Sequence, residues 1–184
     1  MAETDEDWHY LITKLNAGSK EPGDYRKRLV MEIYRDHLRD DAAFLKERLA
    51  WLKYGTDYYE LVVFYQQKGE TSRAVELAEE GLAKGEGRVA DLIDFLLNHF
   101  QSLNDYVNSL RLYRRAFLDK PGLAAYQDLK TFAHAADWPT LEKECLEILS
   151  VKSRKQELAK IHLAEKRYDE VLKFVQEANP GWPH

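Results

Sequence analysis

The chain has 184 residues, a size that suits one domain or a short array of repeats. Its hydrophobic residues (45%) and charged residues (32%) are sufficient for a core, which excludes a disordered polar chain. The formal net charge is −5, and lysine and arginine are scattered without forming a basic stripe, so we expect no direct nucleic-acid binding by this segment.

The amino terminus and the single cysteine indicate the cellular compartment. Residues 1–7 are acidic, whereas a secretory signal begins with positive charge and continues into an apolar run. No apolar run approaches the ~20 residues of a membrane span. Cys145 lies within an apolar helical pattern, so we expect a small buried side chain and not a nucleophile. The predicted location is the cytoplasm, with no membrane partner.

Apolar residues recur at spacings of three and four in almost every window, which predicts an all-α fold. The first predicted helix is Asp5–Asn16, and a linker with glycine and proline follows over residues 17–23. A second helix is predicted over Asp24–Arg39. The pair Asp40-Asp41 then supplies the N-cap of a third helix that ends near Tyr54.

From residue 55 onward the predicted helices pair through short turns into helical hairpins. The predicted pairs are Thr56–Lys68 with Thr71–Lys84, Val89–Ser102 with Asp105–Leu118, Gly122–Ala135 with Thr140–Ser150, and Lys152–Lys166 with Tyr168–Ala178. We therefore divide the chain into N-terminal helices (1–54), which form a degenerate repeat or a cap, and a hairpin array (55–184). We expect the two parts to form one continuous structural unit.

One hairpin carries the small and aromatic residues of a known repeat. Ser109, Tyr113, Ala116 and Pro121 follow one another at the spacing found in a unit of about 34 residues. In this hairpin the chain resembles the tetratricopeptide-repeat family. The resemblance implies a right-handed α–α superhelix, a solenoid of about four degenerate hairpins plus the N-terminal helices, in which neighbouring hairpins stack to bury their apolar faces.

The other hairpins match the repeat less closely. Their anchors on the second helix are Ala74, Leu141 and Val171, so that the successive separations through Ser109 are 35, 32 and 30 residues. The resemblance covers about residues 55–180. Segments 57–61 and 66–70 also resemble the helical regions that follow SWIM-type zinc fingers in bacterial proteins, although one cysteine cannot make the zinc site of that family. This second resemblance implies that the chain is a portion of a larger protein.

The sequence contains no common catalytic or cofactor motif: HExxH, CxxC, a Walker loop, GxGxxG and GxSxG are all absent. Three pairs of a histidine and a carboxylate at a spacing of three could each supply two metal ligands: Glu6 with His9, His134 with Asp137, and His162 with Glu165. Since no third ligand is identifiable, we interpret them as ordinary helix-surface or helix-end pairs. We expect a protein that is not an enzyme and that holds no metal or cofactor.

In tetratricopeptide arrays the first helices of successive hairpins line a concave face that holds a partner segment, and the resemblance implies the same use here. The partner-binding residues predicted in this way are Tyr59, Gln66, Asp94, Asn98, Gln101, Tyr126, Lys130, His134, Gln156 and Lys160. Family members that clamp a C-terminal carboxylate have a lysine where this chain has Asp94, so that clamp is not supported.

These observations favour a non-catalytic protein–protein interaction scaffold whose concave face docks a protein or peptide. The alternative is an accessory or regulatory helical region of a larger zinc-finger, nucleic-acid-associated protein. Trp182 lies beyond the last predicted helix and either caps the array or is exposed for a partner. We favour capping, because an array needs its terminal apolar face covered.

Overall fold

The computed structural model describes residues 4–17, 24–151 and 154–178, and its ordered elements there are helices. The α-helices are α1 (Asp5–Asn16), α2 (Asp24–Glu32), α3 (Asp41–Leu49), α4 (Gly55–Gln67), α5 (Thr71–Lys84), α6 (Ala90–Ser102), α7 (Tyr106–Asp119), α8 (Leu123–Phe132), α9 (Trp138–Leu149), α10 (Lys155–Ala164) and α11 (Tyr168–Ala178). The expected all-α class is confirmed. The cap predicted for Trp182 lies outside the described residues.

The chain divides into two compact units, Met1–Val89 and Ala90–His184. The boundary predicted after residue 54 falls inside the first unit. In the first unit α4 packs against α5, and in the second α6 packs against α7 and α10 against α11. Helix α8 packs mainly against α7 and less extensively against α10 and α9. Among the described residues, no helix is both long enough and apolar enough to cross a membrane.

The N-terminal helices pack around a small core of Ile12, Val30 and Ile33. Helix α1 begins with a capping box, in which the side chains of Thr4 and Asp7 satisfy each other's backbone N–H groups. This cap explains why the helix starts at the predicted residue.

The second helix differs from its prediction, because regular α geometry ends at Glu32 and a π-helical turn, Ile33–His37, follows. The His37 ring stacks on Trp8 of α1 with 3.9 Å between ring centroids. A wider turn changes the direction of side chains without interrupting the helix. The prediction of one continuous α-helix to Arg39 is therefore wrong at its carboxyl end.

Helices α4 and α5 form a hairpin whose two ends are joined by backbone hydrogen bonds. The Glu86 N–H donates to the Lys53 carbonyl, and the Gly55 N–H donates to the Glu86 carbonyl, both at 2.9 Å. Gly55 lies against Arg88 so closely that an added Cβ would come within 2.3 Å of the Arg88 carbonyl oxygen. The third predicted helix ends at Leu49 and not near Tyr54, and residues 53–55 form this bridge.

A core cluster of the second unit is contributed by α7, α8, α9 and α10: Phe117, Tyr126, Leu129, Leu141, Cys145, Leu149 and Ile161. Cys145 is 2% exposed, which confirms that it is a buried side chain, and burial raises the pKa of its thiol to about 12. Ser109 is also buried. A short side chain at that position lets the paired helices approach closely.

Candidate functional site: a cleft between three first helices

A cleft of about 750 Å³ opens in the second unit between α6, the turn from α7 to α8, helix α8 and α10. Its lining residues are Ala90, Ile93, Asp94, Ala116, Asp119, Lys120, Pro121, Gly122, Leu123, Ala124, Ala125, Gln127, Asp128, Glu157 and Lys160. Helices α6, α8 and α10 are the first helices of three successive hairpins. The cleft therefore takes its lining from three of the predicted hairpins.

Two of these helices present the same pair of residue types to the cleft. Ala90 and Asp94 lie one turn apart on α6, and Ala124 and Asp128 lie one turn apart on α8, each 34 positions further along the chain. Residues separated by four positions share a helix face. Each helix thus offers a small apolar residue followed one turn later by a carboxylate.

Glu157 on α10 fixes one wall of the cleft. Its Oε1 accepts a hydrogen bond from Lys160 Nζ at 2.5 Å, and its Oε2 accepts one from the Leu123 N–H at 3.3 Å. The hydrogen bond from Lys160 has the larger effect on the pKa of Glu157, and both hydrogen bonds lower this pKa. Gly122 at the N-cap of α8 has no side chain, so a carboxylate from α10 satisfies the unpaired donor at the start of α8.

The remaining charges of the cleft are mostly acidic. Within the described part of the chain, the ion pairs of the second unit leave Asp94, Asp119, Asp128 and Lys120 without a partner, whereas Glu157 is paired with Lys160. Asp94 and Asp128 are exposed to solvent, while the neighbouring Ile93 is buried. The carboxylates therefore lie at the solvent side of an apolar surface.

The structure places two of the predicted partner-binding residues, Asp94 and Lys160, in this cleft. Gln156 lies one turn before Lys160 on α10 and is exposed beside the cleft lining. Asn98 and Gln101 are exposed further along α6, where Gln101 donates a hydrogen bond to the Tyr113 hydroxyl at 3.0 Å.

Other predicted residues lie elsewhere. Tyr59 is half-buried and Gln66 is exposed on α4, in the first unit. Lys130 pairs with Glu165 at 2.6 Å, which joins α8 to the turn after α10. His134 follows α8, and its ring stacks on Tyr106 with 3.7 Å between centroids.

Tyr126 does not fit an exposed binding face. Its side chain is fully buried, and its hydroxyl donates to Glu142 Oε1 at 2.7 Å. It belongs to the hydrophobic core together with Leu129, one turn further along α8. The projection of Tyr126 onto a partner-binding surface is therefore wrong, because the residue points into the core.

Several residues of the cleft are not among the predicted partner-binding residues. Ala124 and Asp128 were detectable, because they recur 34 positions after Ala90 and Asp94, which is the length of the repeat that the sequence resembles. Glu157 was not detectable in this way, because its role depends on the approach of α10 to the start of α8.

The other polar groups of the described residues offer less for a ligand. Nowhere in the described ranges do three or more histidine, cysteine or acidic side chains gather as they would around a metal ion. His134 Nδ1 lies 4.0 Å from Asp137 Oδ2 in an exposed pair. In the first unit, Arg35 and Glu60 line a cleft of about 530 Å³, and together with Arg48 they line another of about 320 Å³. Both arginines form ion pairs with Glu60.

No protein-family model matches the chain, and neither the curated proteins nor the solved structures contain a match.

Proposed function

We propose that the protein is a non-catalytic interaction scaffold, built as a right-handed tetratricopeptide-like superhelix, that binds a segment of a partner protein in the cleft between α6, α8 and α10. The observation that carries the proposal is the convergence of three successive first helices on one cleft. The pair Ala90 and Asp94 on α6 recurs as Ala124 and Asp128 on α8. This recurrence also supports the proposal, because the backbone of a bound partner segment repeats in the same way.

The dimensions and the composition of the cleft support a peptide ligand. A volume of about 750 Å³ lies within the range of about 300–1,000 Å³ that is common for specific ligand sites. Small side chains such as Ala90, Ala116 and Ala124 leave room for the side chains of a partner. The core residues Phe117 and Leu129 are buried in the helices that form the walls, which gives the cleft a rigid support.

The chemistry of the lining favours binding over catalysis. Its ionisable groups are aspartate, glutamate and lysine, and Lys160 and Glu157 neutralise each other. A hydrolytic site of the usual kind needs a nucleophile hydrogen-bonded to a general base. We place the scaffold in the cytoplasm, where the free thiol of Cys145 fits a reducing environment.

The test is to block the cleft without disturbing the core. Random-sequence peptides displayed on phage are selected on the whole chain and then measured on two variants, Ala124→Trp and Ala136→Trp. Both alanines are exposed, but only Ala124 lines the cleft. We expect Ala124→Trp to abolish the binding of most selected peptides and Ala136→Trp to retain it.

Two results would contradict the proposal. One is a set of selected peptides that bind wild type and Ala124→Trp equally. The other is a selection that enriches no peptide above background, since a scaffold cleft of this size should capture some of them.

A further inference from the structure

We infer that the α6–α8–α10 cleft selects a partner segment that carries a lysine or arginine side chain two residues away from an apolar one. This inference rests on the proposed function, because it specifies the occupant of the same cleft.

The cleft contains more negative than positive side chains. Asp94, Asp119 and Asp128 face the cleft without an ion-pair partner among the described residues, and Lys120 alone opposes them there. Lys160 does not add free positive charge, because Glu157 holds it at 2.5 Å. The cleft therefore has an excess of negative charge.

The carboxylates determine which partner segments the cleft can bind. A partner that lies on the apolar lining removes water from the adjacent carboxylates, and this costs free energy unless the partner supplies a cation or a hydrogen-bond donor. A lysine or arginine provides that compensation. An acidic segment would add repulsion to the lost hydration, so the cleft discriminates against it.

The spacing of the alanine and the aspartate on each helix is similar to the spacing of side chains in an extended segment. Ala90 and Asp94 are separated by four positions on α6, which is about 6 Å along the helix axis. In an extended segment, side chains two residues apart point to the same side and lie about 7 Å apart. A segment running along α6 can thus place an apolar side chain beside Ala90 and a basic one, two residues away, beside Asp94.

The same spacing occurs on α8 with Ala124 and Asp128, so the cleft can read this pattern along either helix. The geometry therefore points to an extended segment of the form apolar, any residue, basic.

The experiment compares the double variant Asp94→Asn/Asp128→Asn with the control Glu47→Gln/Glu147→Gln. Both variants remove two negative charges, but Glu47 and Glu147 are exposed outside the cleft. The ligands are the phage-selected peptides whose binding Ala124→Trp abolishes, synthesised with a fluorescent label and titrated by anisotropy at low and high salt. Each is also made with its lysine and arginine residues replaced by glutamine.

We expect the selected peptides to be rich in lysine and arginine and to bind Asp94→Asn/Asp128→Asn about three- to tenfold more weakly, with no change in the control. On wild type, the peptides with glutamine should bind about three- to tenfold more weakly than the original peptides. On the double variant they should bind only slightly more weakly, because the peptide change and the protein change remove the same interaction. The difference should shrink at high salt.

The outcomes separate the two proposals. Peptides that depend on Ala124 but lack basic residues, or that bind the double variant as tightly as wild type, overturn the inference and leave the proposed function in place. Peptides that do not depend on Ala124 overturn the proposed function itself.

Discussion

Arg48 and Asp57 form a buried ion pair, in which Arg48 Nη1 donates to Asp57 Oδ1 at 3.0 Å and the two side chains are 6% and 7% exposed. The second oxygen of Asp57 accepts the N–H groups of Lys53 and Tyr54, at 3.2 and 2.8 Å. Arg48 also pairs with Glu60. Asp57 therefore holds the end of α3 and the start of α4 together.

Replacing Asp57 with alanine should destabilise the protein strongly. The change removes one ion-pair partner of the buried Arg48 and the acceptor of two backbone N–H groups. We therefore expect a loss of about 3 kcal/mol in the free energy of unfolding, measured by urea denaturation. The control is Glu76→Ala, which breaks the exposed pair of Glu76 with Arg73 and should cost less than about 1 kcal/mol. Equal losses for the two variants would show that Asp57 has no special structural role.

A methyl group at Gly55 should be far more costly than one at Gly69. The Cβ of Gly55→Ala would lie 2.3 Å from the Arg88 carbonyl oxygen, a backbone atom that cannot move aside freely, so we expect a loss of about 3 kcal/mol. Gly69 has open space around it and φ +76°, so Gly69→Ala should cost about 1 kcal/mol through backbone strain alone. Thermal unfolding of both variants measures the difference, and a smaller loss at Gly55 would rule out the close approach.

Glu142 should make the stability sensitive to acid. Burial by itself raises the pKa of Glu142, but the hydrogen bonds from Tyr126 and Arg167 outweigh it and keep the pKa below its ordinary value of 4.5. A carboxyl group whose pKa is lower in the folded state stabilises the fold at pH values above 4.5, and this contribution is lost as the pH falls further.

The variant Glu142→Gln should therefore show a shallower loss of stability between pH 5 and about pH 3 than wild type, because it has no proton to gain. The measurement is urea denaturation across that range. Glu147→Gln on the exposed face of the same helix is the control and should keep the slope of wild type. An unchanged slope in Glu142→Gln would contradict the assignment.

Cys145 should react slowly with alkylating agents in the native protein. A rise in the pKa of its thiol from 9.0 to about 12 reduces the thiolate at pH 8 about a thousandfold, and burial blocks the reagent as well. Mass spectrometry after treatment with iodoacetamide should find little modification in buffer and complete modification in urea. Rapid labelling of the native protein would contradict the burial of this side chain.

The sequence predicted helices best where the start signal is local. Helix α1 occupies the predicted residues because Thr4 and Asp7 cap it, and Asp40 accepts the Ala43 N–H at 3.0 Å, as its place before α3 suggested. The π-helical turn Ile33–His37 escaped prediction, since it involves the stack of His37 on Trp8, a contact between separate helices. Periodicity within one segment contains no information about such a contact.

The candidate site was predictable in part from the position of residues on the predicted first helices. Asp94 and Lys160 were assigned to the binding face from their place in the first helices, and both line the cleft. Tyr126 was misplaced, although its spacing of three from the apolar Leu129 matches a core position. The hydrogen bond from the Leu123 N–H to Glu157 could not be predicted, because the two residues belong to different hairpins.

The two backbone hydrogen bonds that join Lys53, Gly55 and Glu86 have a mechanical consequence. Because the chain enters and leaves the α4–α5 hairpin at the same point, these bonds close residues 53–86 into a loop. Tension applied along the polypeptide must break both bonds before it can peel α4 away from α5. The hairpin should therefore resist stretching until the hydrogen bonds of Glu86 with Lys53 and Gly55 break. It should open there and not at the turn that contains Gly69.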